Sequence, residues 1–441
     1  MLALTNCCII TGDGVTLLEK ASLLIDGERI AAINTGGQPP SSAEVLDLNG
    51  AFVLPGFINH HVHGTTFAPL FASGASALDR AEVVANQYKH LSAGTTTVLN
   101  VDGFALPDEV AEANGLTPLN VKTSACTTPC TLEAALAVDG KGLSAAHCSI
   151  SLKDQVEAGA VAIGEAGSGH TLGGGGVDYM YIPERIKAET GRTISPSQAR
   201  LLKEAVLGKN LQPDRTNAPA LNKALTSAGL ADRLTPERAR ELVAECVLPA
   251  LAPARDSIAE AAAAAREFNL PLIAHTAPPS LQAVLSAARS GAKTIAAHTN
   301  HDSFTREEML KAAQDLKATG AYIDGSTFDA FGARRTTESP DNLLTLLEAE
   351  LVDFISTDYG GGFFDSLPLV LKAIVGLGIL SLPQAVRLIT SAPAKAIPGL
   401  APQRGLLAPD YYADIAVLSR QDIARVLYVF VSGQAVTLPG K

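Results

Sequence analysis

The sequence predicts an α/β fold: a (β/α)8 TIM barrel with a small β-sandwich made by both chain ends and a helical insertion after the fourth barrel strand. Three observations lead there. Through the middle of the chain, short apolar runs alternate with longer Ala- and Glu-containing segments, the pattern of parallel strands covered by helices. Both ends read instead as short strands joined by turns. Polar, ligand-type residues gather at the ends of the central apolar runs, where a barrel builds its site.

Taken in order, Cys8-Ile9-Ile10-Thr11 is followed by Gly12-Asp13-Gly14, and Ala21-Ser22-Leu23-Leu24-Ile25 by Asp26-Gly27. Asp-Gly between β-rich runs marks a hairpin, because the turn needs a positive φ that glycine supplies without steric cost. Asp414-Ile415-Ala416-Val417-Leu418, the run 426–431 and Ser432-Gly433-Gln434 repeat this style. Residues 1–54 and 400–441 therefore form one composite β-sandwich, since chain termini commonly lie close together. Residues 55–399 form the barrel, with strands expected at 52–58, 95–101, 121–125, 161–164, 270–274, 294–297, 321–323 and 354–356. Eight is the number that closes a barrel; a sheet open at both edges is the alternative. The stretch 173–269 exceeds one crossover. It opens on four glycines, contains a helix start at Thr235-Pro236-Glu237, and reads as a helical lid over the barrel. The glycines are no phosphate loop, because no Gly-Lys-Ser/Thr follows.

Composition narrows the function. With 47% hydrophobic residues the chain has ample side chain for a core, which argues against disorder. A net charge of −11 without a basic cluster excludes a nucleic-acid partner. No secretory leader is expected, and the longest apolar stretch, 367–382, is too short and broken to span a bilayer. Six irregularly spaced cysteines read as reduced thiols in a cytoplasmic protein, and Cys126-Thr-Thr-Pro-Cys130 has neither redox nor zinc-knuckle spacing.

Five of the nine histidines fall at or just beyond expected strand ends. His61-Val62-His63 follows the first strand, and alternation in an extended chain aims both imidazoles the same way. Glu165, His275, His298 and Asp358 each end another apolar run. One such residue is ordinarily a hydrogen-bonded histidine or a capping carboxylate. Six together imply a cation, since burying that many polar groups unsatisfied is costly. Imidazoles and carboxylates suit zinc, iron or manganese without choosing among them, and zinc is the ion expected first. Six ligands exceed one tetrahedral ion and fit two divalent ions roughly 3.5–4 Å apart. His170 and His301 follow ligand strands and are candidate substrate contacts. Arg334, beside Arg335, is a candidate carboxylate clamp. His60 points away from His61 as a structural group, and nothing assigns His90 or His147 a function.

The run Pro55-Gly56-Phe57-Ile58-Asn59-His60-His61-Val62-His63-Gly64 resembles the opening strand of the amidohydrolase superfamily. Arg404-Gly405-Leu406-Leu407-Ala408-Pro409, the Ala413–Val417 run and the N-terminal hairpins resemble its small β-domain. The resemblance covers the chain apart from the insertion. It implies His61 and His63 on one ion, and His275 and His298 on the other. Glu165 would bridge where many members carry a carboxylated lysine, and Asp358 would be last ligand and proton shuttle. Asn59 departs from the usual aspartate. Gly164-Glu165-Ala166-Gly167-Ser168-Gly169, His275-Thr276 and Ser356-Thr357-Asp358 are most similar to enamidase-type members.

The expected activity is hydrolysis of a carbon–nitrogen bond, other than a peptide bond, in a small cyclic amide, enamide or lactam. A metal-bound hydroxide attacks, and Asp358 carries the proton to the leaving nitrogen. Deamination of an amino-substituted heterocycle is the first alternative, and deacylation of an N-acyl amino acid the second. A catalytically silent barrel scaffold is the non-enzymatic one. The partner is a small molecule, without nucleic acid or membrane, and the family similarity implies a homo-oligomer.

Overall fold

The computed structural model describes residues 1–36, 40–167, 172, 176–360 and 364–438. Its centre is a parallel sheet of eight strands: β1 (Phe57–Val62), β2 (Thr95–Asn100), β3 (Asn120–Ala125), β4 (Ala162–Ala166), β5 (Leu272–His275), β6 (Thr294–Ala297), β7 (Tyr322–Ser326) and β8 (Phe354–Ser356). Each pairs with the next in chain order. The ends meet through a parallel bridge between Val62 and Tyr359, with Asp358 N–H donating to His61 O at 3.1 Å. The barrel is nearly closed. Every residue of β1, β2, β4, β5, β6 and β8 is buried. That double-sided burial is why these strands read as apolar runs instead of alternating ones.

Both termini build a second eight-stranded sheet. Leu2–Ile10 pairs antiparallel with Leu17–Asp26 and parallel with Phe52–Pro55, which pairs antiparallel with Ile415–Leu418. Leu4, Leu23, Ile25, Val53, Ile415 and Phe430 form a core inside this unit. Ile10, Leu54, Ala416 and Val429 face the other way, onto Phe57, Leu91 and Val98 of the barrel. The expected single strand 52–58 is two strands of two sheets, broken at Gly56. Gly56 N–H donates to Asp414 O at 2.7 Å, and a Cβ there would stand 2.3 Å from Thr96 Oγ1. An apolar run records burial but not the sheet in which its residues are buried.

The insertion folds on its own core. Helices Ile182–Thr190, Pro196–Leu207 and Ala218–Ser227 bury Ile186, Leu202, Val206, Leu221 and Leu225 against the first half of the long helix Pro236–Glu267. Thr235 caps that helix, accepting from Arg238 N–H, with Pro236 in its first turn. Its second half belongs to the barrel: Ala250, Ala254, Ile258, Ala261 and Ala262 share a core with Ile163 and Leu272. One helix thus serves both bodies, and the insertion passes into the barrel mid-helix. Arg200 docks it over the barrel, reaching Asp302 at 3.0 Å. Within the insertion, Asp178 lies 3.4 Å from Arg200 and 2.5 Å from the buried Lys203 Nζ. Among the described residues, no helix is long and apolar enough to cross a membrane. All six cysteines are free.

Candidate metal centre

The parallel strands all point their C-terminal ends to one mouth, and the six strand-end residues converge there. Glu165 lies between two histidine pairs. Its Oε2 is 3.2 Å from His61 Nε2 and 3.9 Å from His63 Nε2. Its Oε1 is 2.9 Å from His298 Nε2 and 3.4 Å from His275 Nδ1. Asp358 Oδ1 is 3.3 Å from His63 Nε2 and 3.5 Å from His61 Nε2. Three overlapping triads have ligand atoms mutually within 4.8 Å: His61/His63/Glu165, His61/His298/Asp358 and Glu165/His275/His298. All six side chains are nearly inaccessible except Asp358, which is 16% exposed.

Local backbone sets these directions. β1 places His61 and His63 on one side and turns His60 the other way, where its Nε2 meets Asp324 Oδ1 at 3.0 Å. Gly164 puts Glu165 in place: at φ +129° a Cβ would stand 2.3 Å from Ile273 O. His298 and Asp358 both adopt left-handed backbone, φ 37° and 48°. Such conformations persist where the surroundings over-determine them. For His298 the hold is its N–H donating to Asp324 Oδ2 at 2.9 Å.

Two carboxylates here escaped the sequence reading. Asp102 Oδ1 accepts a hydrogen bond from His63 Nδ1 at 2.7 Å, which leaves Nε2 as the ring nitrogen facing the centre. Asp102 lies two residues past β2, where the strand-end rule that marks the candidate ligands also marks it. Asp324 sits inside β7 and holds His60, His298 N–H and the hydroxyls of Ser326 and Ser356. Its role depends on pairings that no linear pattern records. Asn59, at the position where an aspartate was expected, exchanges two hydrogen bonds with Thr357, at 2.7 and 3.2 Å.

Electrostatics suits a cation. Burial alone would raise the Glu165 carboxyl, but the imidazoles of His61, His275 and His298 outweigh it and hold it well below the usual range. Asp358, opposed by burial and favoured by His61 and His63, is held down to about 2. His63 would be lowered by burial, yet Asp102 lifts it to about 10. His275 is pushed down by burial and by the neighbouring His298. Ionised carboxylates therefore face imidazoles that lack matching partners. His61 Nε2, though close to two carboxylates, makes no hydrogen bond. A buried polar atom in that state calls for a further partner, and the donor set is one that divalent ions accept.

Of the weaker candidates, His301 is buried with its ring centroid 5.9 Å from that of His275 and 6.1 Å from that of His298. Its Nδ1 accepts from Ser303 N–H, leaving the ring proton on Nε2. Arg334 is exposed, and its Nε donates to Ala330 O at 3.1 Å. His170 lies outside the described residues.

Residues 52–436 match the profile of the amidohydrolase family. The chain belongs to that family. An amidohydrolase is a metal-dependent hydrolase of amide and other carbon–nitrogen bonds, and the buried His/Glu/Asp cluster is where this one can hold metal. Its relatives are distant. L-hydantoinase of Paenarthrobacter aurescens is 22% identical over 437 residues, covering 94% of this chain and 84% of that one. A prolidase solved in complex with N-methylphosphonate-L-proline superposes with a TM-score of 0.60 at 16% identity, over 99% of both chains. D-Aminoacylase, solved in work on its binuclear metal centre, superposes at 0.56 and 16% identity, over 100% of this chain and 98% of that one. At such identities these structures establish the shared fold.

Proposed function

We propose that this amidohydrolase opens a small cyclic amide, enamide or lactam at a two-ion centre, in the manner of enamidase-type members. His61 and His63 hold one ion, His275 and His298 the other, Glu165 joins them and Asp358 completes the set. The observation that carries this reading is Glu165, whose two oxygens each face one histidine pair. Zinc is the ion proposed first. Bound there, divalent ions would supply a water ionised near neutral pH and a polarised scissile carbonyl.

This chain's own residues do the rest. Asp358, ionised and the most open of the six, takes a proton at Oδ1 and returns it to the leaving nitrogen, which must be protonated to depart. His301 offers its Nε2 proton to substrate. Asp102 keeps His63 in one tautomer throughout. Arg200 of the insertion donates to Asp302 and to Thr336 O, in the segments after β6 and β7.

Elemental analysis of the purified protein and of Glu165→Ala, together with turnover screening, tests the reading. Two ions per chain, fewer in the variant, and a ring-opened acid from a cyclic amide support it. Ammonia with the ring intact would place the enzyme among deaminases of amino-heterocycles, and amino acid released from N-acyl substrates among deacylases. A protein that takes up no metal after reconstitution rules the two-ion centre out.

A further inference from the structure

The insertion carries a cavity of its own. Its helices Pro196–Leu207 and Ala218–Ser227 pack together, and helical spacing puts Leu201, Glu204 and Ala205 on one wall and Ala220, Lys223 and Ala224 on the other. Between them opens a groove of about 820 Å³. That volume falls in the range of about 300–1,000 Å³ that small-molecule sites occupy. Only residues between 201 and 227 line it, so no candidate metal ligand takes part.

The connection between the two helices completes the lining. It folds back on the helix it leaves, with Gln212 N–H donating to Leu207 O at 2.7 Å and Asn217 N–H to Ala205 O at 2.8 Å. Asn217 then caps the second helix, accepting from Ala220 N–H at 3.0 Å. This course sets Lys209 and Arg215 on the same lining as Lys223.

The groove is apolar in part and basic in excess. Ala205, Leu207 and Ala224 are buried along it, while Leu201 leaves 49% of its surface open. Of the charged groups on the lining, Glu204 is engaged by Ser303 Oγ at 2.5 Å, and Lys209 lies 3.2 Å from Glu308, both across the seam to the barrel. Arg215 Nε donates to the neutral Gln212 Oε1 at 2.8 Å, and Lys223 is exposed with no ion-pair partner among the described residues. In a chain of net charge −11, two uncommitted cations on one groove reverse the local sign.

We propose that this groove binds a small organic anion with an apolar tail, a free medium-chain carboxylate. Arg215 and Lys223 receive the head, because both donate charge-assisted hydrogen bonds to carboxylates. Leu201, Ala205 and Ala224 cover the tail, for which the wall from Ala220 to Ser227 offers about 10 Å at the rise of an α-helix. The site stands whichever bond the metal centre breaks.

Equilibrium dialysis of the zinc-loaded protein against octanoate, 1-octanol and acetate tests this. Octanoate should bind several-fold tighter than octanol, which lacks the charge, and than acetate, which lacks the tail. Arg215→Ala and Lys223→Ala should each weaken octanoate roughly 1.4- to 5-fold, the range for a solvent-exposed ion pair, and leave octanol unchanged. Both residues are exposed, so neither substitution threatens the fold. Ala220→Phe, which fills the groove, should remove octanoate and octanol together. A carboxylate held at the metal centre would be indifferent to all three variants, and that result overturns the proposal. So does an absence of octanoate binding, or octanol or acetate binding as tightly as octanoate. Sedimentation showing a dimer in wild type and a monomer in Ala220→Phe would assign the groove to a second copy and overturn it as well.

Discussion

Asp102→Asn is the substitution that most sharply separates a support of the metal centre from a mere packing residue. The carboxylate is fully buried and receives four donors: His63 Nδ1 at 2.7 Å and Phe71 N–H at 2.8 Å on Oδ1, Gly64 N–H at 3.0 Å and Asn100 Nδ2 at 2.8 Å on Oδ2. An amide has nearly the same shape but one accepting oxygen. If that oxygen stays with His63 and Phe71, the new NH2 opposes two donors. Asn100 can turn its own amide and present oxygen; the Gly64 N–H cannot. One buried donor left unsatisfied costs about 1–3 kcal/mol of stability. His63 meanwhile loses an anionic partner for its Nδ1 proton, and losing such a support typically weakens metal binding about 10- to 100-fold. The assay is zinc affinity by chelator competition, run beside urea denaturation of the metal-free protein. Metal affinity within about twofold of wild type, with stability reduced, would refute the assignment of Asp102 to the metal centre.

Two further outcomes are expected. His90 is buried between the rings of Tyr359 and Phe364, neither nitrogen has a partner, and burial followed by the Lys89 charge holds it down to about 3. Because the folded value lies below the unfolded one of about 6.5, the stability it permits is present above pH 6.5 and is lost as pH falls toward 3. Between pH 7 and pH 5 the loss is about 2 kcal/mol; His90→Phe, compared by urea midpoints, should be spared it, and an identical pH dependence would contradict the account. Gly164→Ala forces a Cβ to 2.3 Å from Ile273 O at a φ that disfavours L side chains. It should cost roughly 2–5 kcal/mol and lower metal content with it, so a variant of wild-type midpoint and full metal content would show that Glu165 needs no such placement.

The convergence of the six candidate ligands was legible because two local rules sufficed. Parallel strands buried on both faces produce apolar runs, and a barrel exposes its chemistry where those runs end. His61, His63, Glu165, His275, His298 and Asp358 all obey both rules, and so does Asp102, which was passed over although the same signal marked it. The terminal sheet was legible from its Asp-Gly hairpins. The break at Gly56 was not, since residues on either side are equally apolar and only the approach of Thr96 and Asp414 shows where one sheet ends.

By itself, then, the order of residues determined the strand–helix alternation and the chemical type of each group at the barrel mouth, because both follow from periodicity over a few residues. Tertiary structure alone decided the rest. It placed Glu165 between two histidine pairs drawn from strands far apart in the chain. It set Asp324 under His298 and joined the insertion to the barrel through one shared helix. It turned Phe71 and Phe328 toward the ligands in backbone conformations their own side chains disfavour. Those relations join residues of separate elements, up to 133 positions apart, and tertiary packing, not local propensity, supplies them.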